Sequence, residues 1–517
     1  MNFIRLITPL IILIASLSFG QTGVPHVDFP NLDAYIAKSM KNWNIPGLAI
    51  AIVKDDSVVF AKGFGVRTMG THDSVDTHTL FAIASLSKAF TTASLGLLVD
   101  QKKLNWDDRV TDYVPYFQLY DPYATREMRV RDLLCHRSGL HTFGGDLIWY
   151  GTTYDRKEII HRIRHLKPRY SFRATYGYQN IMLLTAGEII PAITGRQWDD
   201  CIRDSIFVPL GMTETNTSVR AFEGQSDVAT PHTTYHGALI TIPYRNVDNV
   251  ASAAAINSSV NDLAKWMRFW LRPPDTNGVG VLHLSSATRY ELWTPQTIIP
   301  ISQRATKINP SRHFSTAALG WFAFDYLGRK IMNHGGGMDG MISNITLAPE
   351  ERLGVVILTN SINSLPPAIA YRVLDQYLGA PERDWSTENL ERMKAADSSM
   401  KAAQKKEAGE RAKSSKPSLT PGEYAGTYRS EMYGDVRVAE EDGKLVVFFV
   451  PTPSFVGDLT HWQYNTFTID LRDHTLPTGK VTFEVDASGK CSDMKINIPN
   501  PDFDFTELEL KRVESAH

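Results

Sequence analysis

The chain has 517 residues, is 43% hydrophobic and 10% aromatic, and carries a formal net charge of −2. That length and apolar content can bury a large core, expected as two domains, while the balanced charge leaves no electrostatic footprint for nucleic acid or an anionic membrane. Three scattered cysteines, Cys135, Cys201 and Cys491, are too few for a disulfide scaffold or a zinc site and read as buried thiols.

Residues 1–20 carry one cation, Arg5, an apolar run from Leu6 to Leu17 and small residues at Ser18 and Gly20. This reads as a secretory signal cleaved near Gly20, because the run is shorter than the ~20 residues a bilayer span needs. The expectation is a periplasmic or secreted protein with no membrane span after cleavage.

Residues 21–385 read as one α+β domain. Leu48 to Val53 and Val58 to Phe60, joined by Lys54-Asp55-Asp56-Ser57, predict a β-hairpin whose near-continuous apolar run suits a strand covered on both faces. A helix carrying Ser85 and Lys88 follows, then a mainly helical stretch that includes Ile181 to Thr194, ended by Gly195. Ser259-Val260-Asn261-Asp262 predicts a capped helix through Leu263, Trp266, Met267 and Trp270. β patterning returns at Leu319 to Leu327, Ile342 to Leu347 and Leu353 to Leu358, before a helix from about Pro366 to Leu378. The order predicts one antiparallel sheet interrupted by a helical insert that carries the nucleophile.

Residues 386–418 contain no Val, Ile, Phe, Tyr or Trp and read as a linker, partly helical through a weak stripe of Leu390, Met393 and Met400. Residues 419–517 alternate with period two, as in Val436/Val438, Phe467/Ile469/Leu471 and Val481/Phe483/Val485, and predict a small antiparallel barrel or sandwich.

Three constellations carry chemistry. Ser85 and Lys88 lie one helical turn apart in apolar sequence, which can desolvate the lysine and activate the hydroxyl for attack on a carbonyl. Ser-x-x-Lys also occurs at Ser398/Lys401 and Ser492/Lys495, but there the lysines would keep their water. Tyr178 and Asn180, two apart, project to one side if their loop is extended; the phenol becomes a usable base only beside a cation such as Lys88. Asn333-His334-Gly335-Gly336-Gly337 reads as a glycine-rich junction between two β runs, offering an oxyanion donor and, in His334, a group that binds a carboxylate or relays a proton near neutral pH. Gly335-x-Gly337-x-x-Gly340 is followed by strand-like rather than helical sequence, and Gly-x-Ser-x-Gly is absent. No cofactor or metal is implied.

Ser85-x-x-Lys88, Tyr178-x-Asn180 and His334-x-Gly336, in that order between long inserts, resemble the motifs of the penicillin-recognising serine hydrolases: class C β-lactamases, low-molecular-weight DD-peptidases and related esterases and D-aminopeptidases. The likeness covers roughly Leu32 to Gly379. It implies Ser85 as the acylated nucleophile, Lys88 and Tyr178 sharing the base role, Asn180, His334 and Gly336 meeting the substrate, and the N–H groups of Ser85 and Gly337 as the oxyanion hole. The C-terminal domain resembles the lipocalin-like appendage of some such peptidases. His334-Gly335-Gly336 stands where β-lactamases of this type have Lys-Thr-Gly, which implies a small amide, peptide or ester substrate. A β-lactamase, or a sensor acylated once and never released, is the alternative. A histidine titrating around pH ~6.5 would also make activity on carboxylate-bearing substrates decline between about pH 6 and about pH 8.

Overall fold

The computed structural model describes residues 27–273 and 282–513. The expected signal segment lies outside them, and among the described residues no helix is long and apolar enough to cross a membrane.

The first helix, α1 (Phe29–Trp43), leads into the hairpin β1 (Gly47–Lys54) and β2 (Ser57–Gly65). Asp55 and Asp56 both adopt positive φ, 50° and 65°, the geometry of a two-residue turn whose twist matches the strands it joins. Next come α2 (Ser87–Asp100), α3 (Asn180–Thr194) and α4 (Val260–Leu271). The Ser259 hydroxyl caps α4 by accepting from Asp262 N–H, and Gly195 ends α3 at φ 69°. The remaining strands of the sheet are β3 (Thr297–Ile298), β4 (Ser315–Ala317), β5 (Phe322–Tyr326), β6 (Arg329–Met338), β7 (Met341–Ala348) and β8 (Leu353–Thr359). Their order is β2-β1-β8-β7-β6-β5-β4-β3, so the N-terminal hairpin docks on the last strand.

The alternation of side chains divides the core. Leu48, Ile50 and Ile52 of β1 pack with Val355 and Ile357 of β8 on the face covered by α1 and α5 (Leu365–Leu378). Ala49, Ala51 and Val53 face the other way, with Val356 and Leu358, against the layer that contains α2, α3 and α4. Small residues on that face let the α4 helix approach, and both faces exclude water.

The stretch read as a partly helical linker is helical over most of its length: α6 spans Trp385–Glu410, capped by Asp384, and its first turns are buried through Trp385 and Leu390, with Trp385 Nε1 donating to Asp375. The absence of β-branched and aromatic residues from Glu388 to the end of α6 favours helix over strand, and the later turns are exposed. The glycine-rich junction is the interior of β6, a ten-residue strand. A Cβ at Gly336 would lie 2.2 Å from the Ile83 carbonyl oxygen, so the missing side chain is what lets β6 press against the nucleophile turn.

Beyond α6, eight antiparallel strands from Gly426–Ser430 to Leu510–Arg512 form a closed barrel. It is fastened to the first domain. Arg245 donates to Asp339 and to Asp473 of the barrel, both at 2.8 Å, and Tyr150 packs its ring against Phe503 with centroids 4.3 Å apart.

Candidate active site

Ala84 takes φ 48°, unusual for a residue with a Cβ, and this kink turns the chain into a short 3₁₀ turn, Ala84–Leu86, that opens α2. Ser87 fixes the kink by donating to Ala84 O and accepting from Ile256 N–H. Ser85 is thereby presented half-buried at the floor of a cleft of about 760 Å³, with Lys88 one turn on and fully buried.

Lys88 Nζ has three oxygen partners: Ser85 Oγ at 2.9 Å, Asn180 Oδ1 at 2.7 Å and Ala253 O at 3.0 Å. Two of these are pure acceptors. A neutral amine can satisfy both with its two N–H groups and keep its lone pair for the Ser85 hydroxyl. Burial favours that form, lowering Lys88 to about 7 against the opposing pull of the Asp146 carboxyl. The other two Ser-x-x-Lys pairs are exposed, Lys401 pairing with Asp397 and Lys495 with Glu484.

Gln179, extended at φ −135° and ψ 124°, precedes the first residue of α3, so Tyr178 and Asn180 project to the same side. Tyr178 places its ring 4.9 Å from Lys88 Nζ, between His136 and Phe143. Burial raises Tyr178 well above the usual phenol range, with a bond to Ser85 opposing. It therefore holds its proton, and the phenolate base expected from the motif is replaced by a neutral phenol beside a lysine that readily loses its own.

Asn180 extends the network, its Nδ2 donating to Asp146 at 2.6 Å. Asp146 is buried, and desolvation pushes its carboxyl up to about 8. Sequence reasoning did not single it out. The available signal was an acid inside the otherwise apolar run Asp146-Leu147-Ile148-Trp149-Tyr150, following two glycines.

His334 lines the cleft from β6, but it is not the titrating cation expected. Complete burial, with Lys88 adding to it, lowers His334 to about 3. Its Nδ1 donates to Gly335 O at 2.6 Å, which leaves Nε2 an acceptor, buried and without a partner among the described residues. A decline between pH 6 and pH 8 therefore cannot come from this ring. Gly336 also departs from expectation: it is buried against Ile83 and Ser343, while Gly335 and Gly337 line the cleft. The ladder between β5 and β6 ends at Asn333. Beyond it that edge of β6 is free, and alternate N–H groups are open to a substrate oxygen.

The profile described as Beta-lactamase matches residues 32–378, and a second, described as a domain of unknown function (DUF3471), matches residues 410–512. The chain belongs to the β-lactamase family. Within this family it is 29% identical over 375 residues to Unguisins hydrolase ungD of Aspergillus violaceofuscus, a match covering 68% of this chain and 65% of that protein's length. The octameric penicillin-binding protein homologue from Pyrococcus abyssi superposes with a TM-score of 0.61 at 20% identity, covering 92% of this chain and 99% of the other. The D-stereospecific amidohydrolase from Streptomyces sp. gives 0.55 at 18% identity over 69% of this chain and all of its own. The likeness to these structures is one of fold. The β-lactamase fold thus holds the sheet and helical layer, and the closed barrel follows it.

Proposed function

We propose that this family member is an exported serine hydrolase that forms an acyl-enzyme through Ser85 on a small amide, peptide or ester. The observation that carries the reading is the Lys88 amine, 2.9 Å from Ser85 Oγ and desolvated to about 7. As Ser85 Oγ bonds to the substrate carbonyl carbon, its proton passes to Lys88 Nζ. The carbonyl oxygen takes the electron pair and accepts from the Ser85 and Gly337 N–H groups. Collapse breaks the bond to the leaving group, which receives the proton from Lys88, relayed by the Tyr178 hydroxyl. Water then repeats the sequence against the ester and frees Ser85.

The cleft lining contains Asp146, Asp339 and Asp502 and, among the described residues, no lysine or arginine. With His334 neutral, nothing in that lining offers a full cation to a penicillin or D-alanyl carboxylate. Substrates without that group fit better.

The test is intact-mass analysis with p-nitrophenyl acetate while product is followed. The wild type should gain one acetyl group and keep releasing p-nitrophenol. Ser85→Ala should lose the label and about 10³-fold or more of the turnover. A label that survives in Ser85→Ala would falsify the assignment; release of one equivalent and no more would favour the sensor.

A further inference from the structure

The hydrolase domain and the barrel also meet away from Ser85, around three side chains of metal-ligating type. His141 belongs to the first domain, while Asp504 caps, and Glu507 lies within, the short 3₁₀ turn Phe505–Leu508 ahead of the last barrel strand. One nitrogen or oxygen from each lies within 4.8 Å of the other two. His141 Nε2 is 2.6 Å from Glu507 Oε1 and 3.8 Å from Asp504 Oδ2. None of the three lines the Ser85 cleft; all three line a separate cavity of about 770 Å³ between the domains.

The two acids are held from behind, with one oxygen of each left over. Glu507 Oε2 accepts from the Gly145 N–H at 2.9 Å, and Asp504 Oδ1 accepts from the Thr506 N–H at 3.1 Å and from the Thr506 hydroxyl. Glu507 Oε1 has no hydrogen-bond donor among the described residues, although its side chain is only 6% exposed. Neither ring nitrogen of the buried His141 has a hydrogen-bonded partner among them, so the 2.6 Å approach of Nε2 to Oε1 is not aligned as a hydrogen bond. An imidazolium answering Glu507 would aim an N–H at the carboxylate. Two buried electron-pair donors side by side with no proton directed between them are an arrangement that a metal ion satisfies. The third atom, Asp504 Oδ2, accepts only from the largely exposed Arg169 guanidinium, at 3.5 Å, a contact long enough to yield.

We propose that His141, Asp504 and Glu507 form a site for a divalent cation of the zinc class, which clamps the barrel to the hydrolase domain. A tetrahedral ion about 2.0–2.2 Å from its ligands holds them about 3.4 Å apart, so small side-chain rotations complete the set and water from the cavity supplies a fourth ligand. An imidazole beside two carboxylates suits zinc, whereas magnesium and calcium take oxygen ligands. The ion touches no reacting atom. It steadies the catalytic segment through the backbone, because the His141 carbonyl accepts from Gln179 Nε2 at 2.6 Å, and Gln179 stands between Tyr178 and Asn180. The proposal is independent of the reading of Ser85.

The test uses the full-length protein without an affinity tag, dialysed against EDTA and titrated with zinc sulfate. Binding is measured by competition with a chromophoric chelator, and thermal unfolding is followed in parallel. The wild type should take up about one zinc per chain at micromolar free metal, and its Tm should climb with zinc concentration. His141→Ala and Glu507→Gln should each weaken binding by about tenfold or more and remove the zinc-dependent rise, since even a residue behind a metal ligand is worth that much. Asp504→Asn keeps the oxygen that caps Thr506 and decides the matter should either of those variants fail to fold. No zinc uptake by the folded wild type, or uptake that the variants leave unchanged, overturns the site and leaves His141 and Glu507 as an ion pair.

Discussion

On the hydrolase side of the cleft Lys88 holds three oxygen partners and Asn180 bridges it to Asp146, so each reactive group is fixed by at least one other. On the barrel side Asp502 is fixed through its backbone alone. Groups that must move a proton need exact placement and a low dielectric, which a dense network supplies. Asp502, exposed at the mouth of the cleft, is left to water.

The largest break in the first wall is removal of its base. Lys88→Ala should cost about 10³-fold or more in kcat, because no other group within reach of Ser85 Oγ has a free lone pair of suitable basicity. Tyr178→Phe should cost less, about ten- to a hundredfold, since it removes a relay rather than the base. The double variant should be scarcely worse than Lys88→Ala alone. Equal losses from the two single variants would return Tyr178 to the base role that the motif suggested.

The join between the walls is the next target. Arg245 is largely buried between Asp339 and Asp473, so Arg245→Ala leaves two carboxylates facing each other without their cation. A loss of about 3 kcal/mol in urea unfolding is expected, or a separate early transition for the barrel. An unchanged midpoint would show that Tyr150 and Phe503 hold the join without help from charge.

What could be read beforehand follows the range of the interactions. Ser85 and Lys88 are one helical turn apart, and Tyr178 and Asn180 flank a single extended residue, so local geometry alone put each pair together. Asp146 meets Asn180 only through the tertiary fold, and Asp502 comes from the other domain. No spacing rule reaches either. His334 lines the cleft, but its reference pKa misleads there, because residue type carries that value and burial does not appear in the sequence. The three glycines read as a junction between two β runs, since glycine weakens strands in general. Here the close approach of Ile83 O to Gly336 makes it the residue a strand requires. The weak stripe of Leu390, Met393 and Met400 pointed to partial helix, and of its members Leu390 is buried, beside Trp385, while Met393 and Met400 are exposed.

The smallest expected effect is a shift in a pH profile, and it examines the network itself. On the neutral ester p-nitrophenyl acetate, kcat/KM should rise with pH to a plateau with a midpoint near 7, because only the neutral Lys88 amine can take the Ser85 proton. Activity is therefore lost as pH falls through that value. His334, already neutral, adds no inflection between pH 6 and pH 8. The Asp146 carboxyl, itself pushed up to about 8, is largely protonated at that midpoint, and only its ionised fraction pulls the other way from burial, favouring the ammonium form of Lys88. Asp146→Asn removes that attraction while the new amide oxygen can still accept from Asn180 Nδ2. The midpoint should then move to lower pH, with the plateau reduced less than in Lys88→Ala. A merely structural role would lower the plateau and leave the midpoint where it was. A midpoint that stays or moves upward would assign the limb to a group other than Lys88, and the dense wall would lose its claim to be the base-setting half of the cleft.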